Sequence, residues 1–208
     1  MSIEKNVYIY KLEVKLNNDY DPITYLGQTL SIEKRLKEHF NGKRTSAKIL
    51  RSLKKIAKSS TKINYDLKQI FVLKIKITGK QYQLNQSFID SVRTHFESII
   101  FDFTANTKND FGAYNVENIF KNTKIDKNEL LNKICELSSQ KVNHYNNFKN
   151  PLQKIYKRIS EVSDTRVTFE NILKEIETKI NRCSGPIEKL DVICKELNDI
   201  SNIKFQVE

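Results

Sequence analysis

The residues Tyr8-Ile9-Tyr10 and Tyr25-Leu26-Gly27-Gln28-Thr29 decide the fold. Each is a short run rich in aromatic and branched side chains, a composition that favours β-strands. Residues 16–22 between them are dense in the turn formers Asn, Asp and Pro, so we expect an antiparallel hairpin with a long loop. Ser31 then stands where a helix N-cap belongs. Ile32, Leu36 and Phe40 recur at helical spacing, which predicts an apolar face on a helix that ends at Phe40.

The next segments continue as an α/β module. Residues 47–58 are predicted to form a second helix. From Tyr65 to Ile77 apolar residues alternate with mostly polar ones, which indicates a long strand with one buried face. A third helix is predicted from Asn85 to Phe101, because apolar residues recur there at helical spacing.

After residue 120 the pattern becomes helical throughout. We therefore predict an α/β domain over residues 1–120. Residues 121–208 are predicted to form a small all-helical C-terminal region that serves packing, dimerisation or DNA binding. The signals that mark the start of its helices are Asp126, Pro151, Thr168 and Pro186.

The chain is strongly basic, with 36 Lys and Arg against 25 Asp and Glu and a net charge of +11. Such an excess favours a polyanionic partner. Residues 1–120 carry 20 basic against 12 acidic side chains, a net of +8, and residues 121–208 carry 16 against 13, a net of +3. The N-terminal domain is therefore the stronger candidate for binding nucleic acid.

Several other classes of protein are disfavoured by the sequence. No apolar run approaches the ~20 residues of a membrane span, and the N-terminus lacks a signal-peptide pattern. We therefore expect a cytoplasmic protein without a membrane partner. Cys135, Cys183 and Cys194 show no metal-binding spacing, so we expect free thiols in a reducing compartment.

The paired tyrosine motifs and the basic helix after them resemble the GIY-YIG nuclease superfamily over about residues 7–116. Tyr10 stands at the tyrosine of the first motif, although Tyr8 replaces its usual glycine. Tyr25 and Gly27 stand at the tyrosine and the glycine of the second motif. The resemblance implies a small three-stranded antiparallel sheet flanked by helices.

The resemblance also implies catalytic residues. Arg35 lies ten residues beyond Tyr25, as the family arginine does, and His39 follows one helical turn later. Glu97, on the helix after the third strand, stands for the metal-binding glutamate and implies Mg²⁺ or Mn²⁺ as the cofactor.

The family asparagine has two candidates. Asn115 carries the local pattern Ala-Tyr-Asn-Val and is favoured, but it lies eighteen residues beyond Glu97. Asn109 lies twelve residues beyond Glu97, which suits the more usual spacing. We expect Asn115 to be the catalytic asparagine and keep Asn109 as the alternative.

This set of side chains suits the hydrolysis of a phosphodiester. Arg35 and His39 are four residues apart and project from one face of a helix. Arginine offers a planar set of donors to a phosphate whose charge grows in the transition state, and histidine transfers protons near neutral pH. Tyr10 or Tyr25 can help to deprotonate the attacking water. One glutamate suffices for Mg²⁺, which keeps several waters.

Each of these residues also has an ordinary interpretation. The tyrosines fit as strand aromatics, and Arg35 fits as a solvated helix residue. His39 fits as a cation that the helix dipole favours at a C-terminus. Glu97 fits as the ion-pair partner of Arg93, four residues before it.

Residues 34–58 hold ten Lys and Arg and one acid, Glu38. Such a run is often only a solvated surface, but next to a phosphodiesterase site it favours contact with a nucleic-acid backbone. The predicted nucleic-acid contacts are Lys34, Lys37, Lys43, Arg44, Lys48, Arg51, Lys54 and Lys55.

The sequence thus favours a metal-dependent endonuclease of the restriction or phage and mobile-element kind, with double-stranded DNA as its substrate. A homodimer is one assembly that would place two sites on opposite strands. The alternative is a non-catalytic nucleic-acid-binding or interaction protein that retains the fold. RNA as a substrate and the recognised sequence stay open.

Overall fold

The computed structural model describes residues 1–16, 23–41, 65–104, 110–112 and 147–208. Its strands are β1 Ser2–Leu16, β2 Ile23–Thr29, β3 Tyr65–Lys80, β4 Asp110–Gly112 and β5 Lys204–Val207. Its helices are α1 Ile32–Phe40, α2 Gln86–Thr104, α3 Lys149–Val162, α4 Phe169–Ile180 and α5 Pro186–Asp199. The helices predicted over residues 47–58 and from Asp126 lie outside the described residues.

All five of these strands form one sheet, in the order β4-β2-β1-β3-β5. The central strand β1 is antiparallel to both β2 and β3, which confirms the predicted antiparallel core of three strands. The prediction is incomplete at both edges, because β4 adds to β2 in parallel and β5 adds to β3 antiparallel.

The period-two pattern of β3 produces one buried face. Leu73, Ile75 and Ile77 are buried in the main core. They share that core with Phe88, Val92, Phe96, Ile99 and Ile100 of α2. The buried face of β3 therefore packs against the apolar stripe of α2. Both predicted patterns are confirmed, since each places its apolar side chains on one face of its element.

The register of the β1–β2 pair sets the position of the two motif tyrosines. Tyr10 lies opposite Gly27, and Leu12 lies opposite Tyr25. Residues directly opposite each other in antiparallel strands share a face. Since residues two apart also share a face, both tyrosines project from the same side of the sheet.

The prediction that residues 121–208 are all helical is wrong at the C-terminus. β5 extends the sheet there, with Phe205 opposite Ile77. The ring of Phe205 is buried, 5.8 Å from that of Phe96 between centroids. An edge strand of four residues has too little alternation to be recognised from sequence, and its pairing with β3 is what stabilises it.

The three C-terminal helices share the core of the sheet and α2. Buried residues such as Leu152, Ile176 and Leu197 belong to one cluster with Ile75 and Phe96. The predicted starts at Thr168 and Pro186 are confirmed as the N-cap of α4 and the first residue of α5, and Pro151 lies in the first turn of α3. These apolar stripes are covered within one chain, so they need no second copy. The predicted domain boundary lies outside the described residues.

Two further properties concern the class of protein. Among the described helices, none combines the length and the apolar character that crossing a membrane requires. Cys183 and Cys194 are free thiols, and Cys194 is buried; Cys135 lies outside the described residues.

Candidate active site

Four elements bring five of the predicted catalytic residues to one place. β1 carries Tyr10, β2 carries Tyr25, α1 carries Arg35 and His39, and α2 carries Glu97. The ring centroids of the two tyrosines are 6.2 Å apart, and each lies 5.6 Å from the centroid of His39. The charges of Arg35 and Glu97 both act on the pKa of Tyr10, in opposite directions.

The connection between β2 and α1 directs His39 toward the tyrosines. The Thr29 hydroxyl accepts a hydrogen bond from the backbone N–H of Ser31 (3.1 Å) and lies 3.2 Å from the Ser31 carbonyl oxygen, to which it donates. Ser31 is the N-cap of α1, as predicted, although its side chain makes no capping hydrogen bond. On α1 the structure buries His39, which is 2% exposed, and leaves Phe40 45% exposed. The expected apolar face that includes Phe40 is therefore replaced by a face centred on His39.

Gly27 makes room for the two phenol rings. A Cβ atom at this position would lie 2.5 Å from Tyr10 Oη and 2.8 Å from Tyr25 Cε1. A Cβ atom does not come that close to an atom to which it is not bonded, so a larger residue would displace the rings. The glycine of the second motif is thus required for packing against both tyrosines.

We expect Gly27→Ala to lower the free energy of unfolding by about 1–3 kcal/mol, as overpacking does, and to reduce any activity that depends on the position of Tyr10. Urea unfolding would measure the first effect. Gly185→Ala is the matched control, because nothing lies within 4 Å of a Cβ at that position. Equal effects of the two substitutions would contradict this explanation of Gly27.

Tyr10 and His39 form a buried hydrogen bond, with 2.8 Å between Tyr10 Oη and His39 Nε2. Burial raises the pKa of Tyr10 above its ordinary value of 10.0; Tyr25 and Glu97 raise it further, and Arg35 opposes them. Burial and, to a smaller extent, the Arg35 guanidinium lower the pKa of His39 against the opposing effect of Glu38, and the result is about 4. At neutral pH both groups are therefore uncharged, and the imidazole is in the form that accepts a proton.

The pKa of His39 predicts acid sensitivity of the fold. The unfolded state takes up a proton near pH 6.5 and the folded state only near pH 4, so stability is fully present above pH 6.5 and is lost as the pH falls toward 4. One proton corresponds to at most about 1.4 kcal/mol per pH unit. Unfolding in urea at pH 7 and pH 5 should show a smaller loss for His39→Gln than for the wild type. Equal losses would show that the pKa of His39 in the folded state is the same as in the unfolded chain.

Glu97 is the residue that fits a divalent cation. Glu97 is 5% exposed on a helix that also buries Phe96, Ile99 and Ile100, and a carboxylate at that depth is favourable only when its charge is balanced. Within the described parts of the chain, no group of three or more His, Cys, Asp or Glu is placed to hold a metal. A single carboxylate such as that of Glu97 is too few ligands for a structural zinc site, which takes four. It fits Mg²⁺, which takes one or two carboxylates together with waters and substrate oxygens.

The predicted contacts with nucleic acid are only partly within the described residues. Lys34 and Lys37 are exposed on α1, and they line an open cavity of about 430 Å³ together with Ser31, Glu33, Glu38 and Asn41. Lys37 Nζ is 2.6 Å from Glu33 Oε1. Outside the described residues lie Lys43, Arg44, Lys48, Arg51, Lys54, Lys55, Asn109 and Asn115.

The sequence did not single out Arg93 as a neighbour of the site, except as an ordinary partner of Glu97. Its Nη1 donates a hydrogen bond of 2.9 Å to Gln28 Oε1, which ties α2 to β2. The only sequence signal for this role is the spacing of four residues between Arg93 and Glu97, since the contact with Gln28 spans 65 residues.

The chain matches no protein-family model, no curated protein and no solved structure. The link to the GIY-YIG superfamily therefore depends on the motif residues and on their arrangement in space, and it is a proposal.

Proposed function

We propose that this chain is a GIY-YIG-like endonuclease that hydrolyses DNA phosphodiester bonds with Mg²⁺ or Mn²⁺ as its cofactor. The observation that supports it best is the Tyr10–His39 hydrogen bond, at a hydroxyl on which Arg35 and Glu97 also act. Aromatic residues that serve packing alone need neither a guanidinium nor a buried carboxylate beside a phenol.

The two tyrosines and His39 carry out the proton transfers of the proposed reaction. Water attacks the phosphorus atom in line with the leaving oxygen, and it must lose a proton as the new bond forms. A tyrosine hydroxyl that hands its own proton to neutral His39 can take the proton of the water in turn. Neutral His39 is in the form that accepts this proton, and since the raised pKa of Tyr10 disfavours a free phenolate, the two proton transfers must occur together.

Arg35 stabilises the charge that grows on the non-bridging oxygens during the attack. Its side chain is about one-quarter exposed, with Nη1 3.9 Å from Glu38 Oε2. That separation is longer than a hydrogen bond, so the contact with Glu38 is an ion pair without a hydrogen bond. A divalent cation bound at Glu97 would polarise a phosphate oxygen and lower the pKa of a bound water.

DNA is the proposed substrate because the positive charge is concentrated in the part of the chain that holds the site. Exposed Lys34 and Lys37 on α1 flank Arg35 in sequence. Cations spaced along a helix beside the reacting residues suit a continuous phosphate backbone better than a small phosphate ester.

Purified protein incubated with plasmid and phage DNA would test this function, with Mg²⁺ in one arm and EDTA in the other. We expect metal-dependent strand breaks, and sequencing of the ends would identify the cleaved site. Arg35→Ala protein, purified in the same way, controls for contaminating nucleases. Binding to DNA without cleavage in any metal would instead favour a non-catalytic nucleic-acid-binding protein. Cleavage of RNA alone would show that RNA, and not DNA, is the substrate.

A further inference from the structure

Arg93 is anchored at two points beside the candidate active site. Its Nη1 donates to Gln28 Oε1 on β2 (2.9 Å), and its Nε lies 2.9 Å from Asp90 Oδ1 on α2. The Nε–H bond is not directed at that oxygen, so the second contact is an ion pair without a hydrogen bond. The side chain as a whole is 25% exposed although its Nε is buried, so part of the anchored side chain still reaches solvent.

Arg93 and its anchor Gln28 both adjoin residues of the site. Glu97 follows Arg93 by four residues, and side chains at that spacing lie on one face of a helix. Gln28 directly follows Gly27, against which the rings of Tyr10 and Tyr25 pack. The guanidinium is therefore placed between the helix that carries Glu97 and the strand that carries Tyr25.

We propose that Arg93 binds a phosphate of the substrate backbone adjacent to the phosphate that is cleaved, with Gln28 orienting its guanidinium. This assignment deepens the proposed endonuclease function and rests on it. A guanidinium has five N–H donors in one plane. Gln28 accepts from one of them, and the other Nη donors remain for phosphate oxygens.

The charge and the partial exposure distinguish this role from a simple tie between α2 and β2. A neutral amide side chain would make a hydrogen bond to Gln28 equally well without placing a positive charge at a partly exposed position. Asp90 offsets the charge only in part, because its carboxylate is itself 42% exposed and makes no aligned hydrogen bond to Nε. A phosphate of the substrate supplies the remaining counter-charge.

The affinity for a fluorescent DNA duplex in EDTA, measured over a range of salt concentrations, tests this assignment. For Arg93→Gln we expect affinity to fall about 10-fold and the slope of log K against log salt to become less steep by about 0.9, the value for one phosphate contact. Arg182→Gln, at an exposed arginine after α4, is the matched control and should change neither quantity. A slope for Arg93→Gln equal to that of the wild type overturns the assignment.

Arg93→Lys provides a second measurement, which decides the matter if Arg93→Gln does not fold. Lysine keeps the charge but not the planar set of donors, so the slope should be kept while affinity falls several-fold; an unchanged affinity overturns the assignment.

Cleavage is scored separately with Mg²⁺. A wild type that binds through Arg93 and never cuts would refute the endonuclease and leave the phosphate contact standing. Cleavage with a salt slope independent of Arg93 would refute the contact alone, and the absence of any DNA binding would refute both.

Discussion

Glu97→Gln is expected to lower the rate of DNA cleavage by ~10²-fold or more, while the protein stays folded. The substitution keeps the shape of the side chain and removes the negative charge that would hold the metal. A bound metal stabilises the charge of the transition state by several kcal/mol, which corresponds to this loss in rate. Single-turnover cleavage at saturating protein, over a range of Mg²⁺ concentrations, would measure the effect on the chemical step.

Two controls separate this effect from damage to the fold. Affinity for DNA in EDTA should be close to that of the wild type, because Glu97 makes its contribution through the metal. Glu161→Gln, at a glutamate of α3 that pairs with Arg158, should cut normally. A Glu97→Gln protein that cuts at nearly the wild-type rate would show that Glu97 does not hold the metal.

Phe205→Ala is expected to give the largest loss of stability among single substitutions in β5. Its ring is buried, packs on Phe96 and belongs to the core that β3 shares with α2 and α5. Removing a buried phenylalanine costs about 3–5 kcal/mol. For a chain of this length each kcal/mol lowers the midpoint of thermal unfolding by about 2–4 °C. Thermal unfolding followed by circular dichroism would measure the shift.

Gln206→Ala is the matched control for Phe205→Ala, because residue 206 lies in the same strand with its side chain exposed. Its effect should stay within about 0.5 kcal/mol. Since β5 lies at the edge of the sheet beyond β3, and the tyrosines lie on β1 and β2, Phe205→Ala protein that is still folded should keep its cleavage rate. A large shift for Gln206→Ala would contradict this explanation, because it would mean that a change in β5 destabilises the chain without loss of a buried ring.

Local patterns in the sequence were sufficient for the central elements of the fold. The tyrosine runs and the alternation of β3 each report the state of a single element, because a side chain alternates in a strand and recurs every third or fourth residue in a helix. The same logic placed Arg35 and His39 on one helical face. That Glu97 lies near Tyr10 was expected only from the resemblance, since 87 residues separate them.

Only the tertiary structure decided which elements cover those faces. The periodicity of α1 predicted Phe40 at its inner face, but the contact with Tyr10 and Tyr25 selects His39, because the hydrogen bond to Tyr10 satisfies a buried polar group there. The strand β5 and the contact between Arg93 and Gln28 were likewise invisible in the sequence. Each is stabilised by a partner far along the chain, and the local pattern of apolar and polar residues carries no information about such partners.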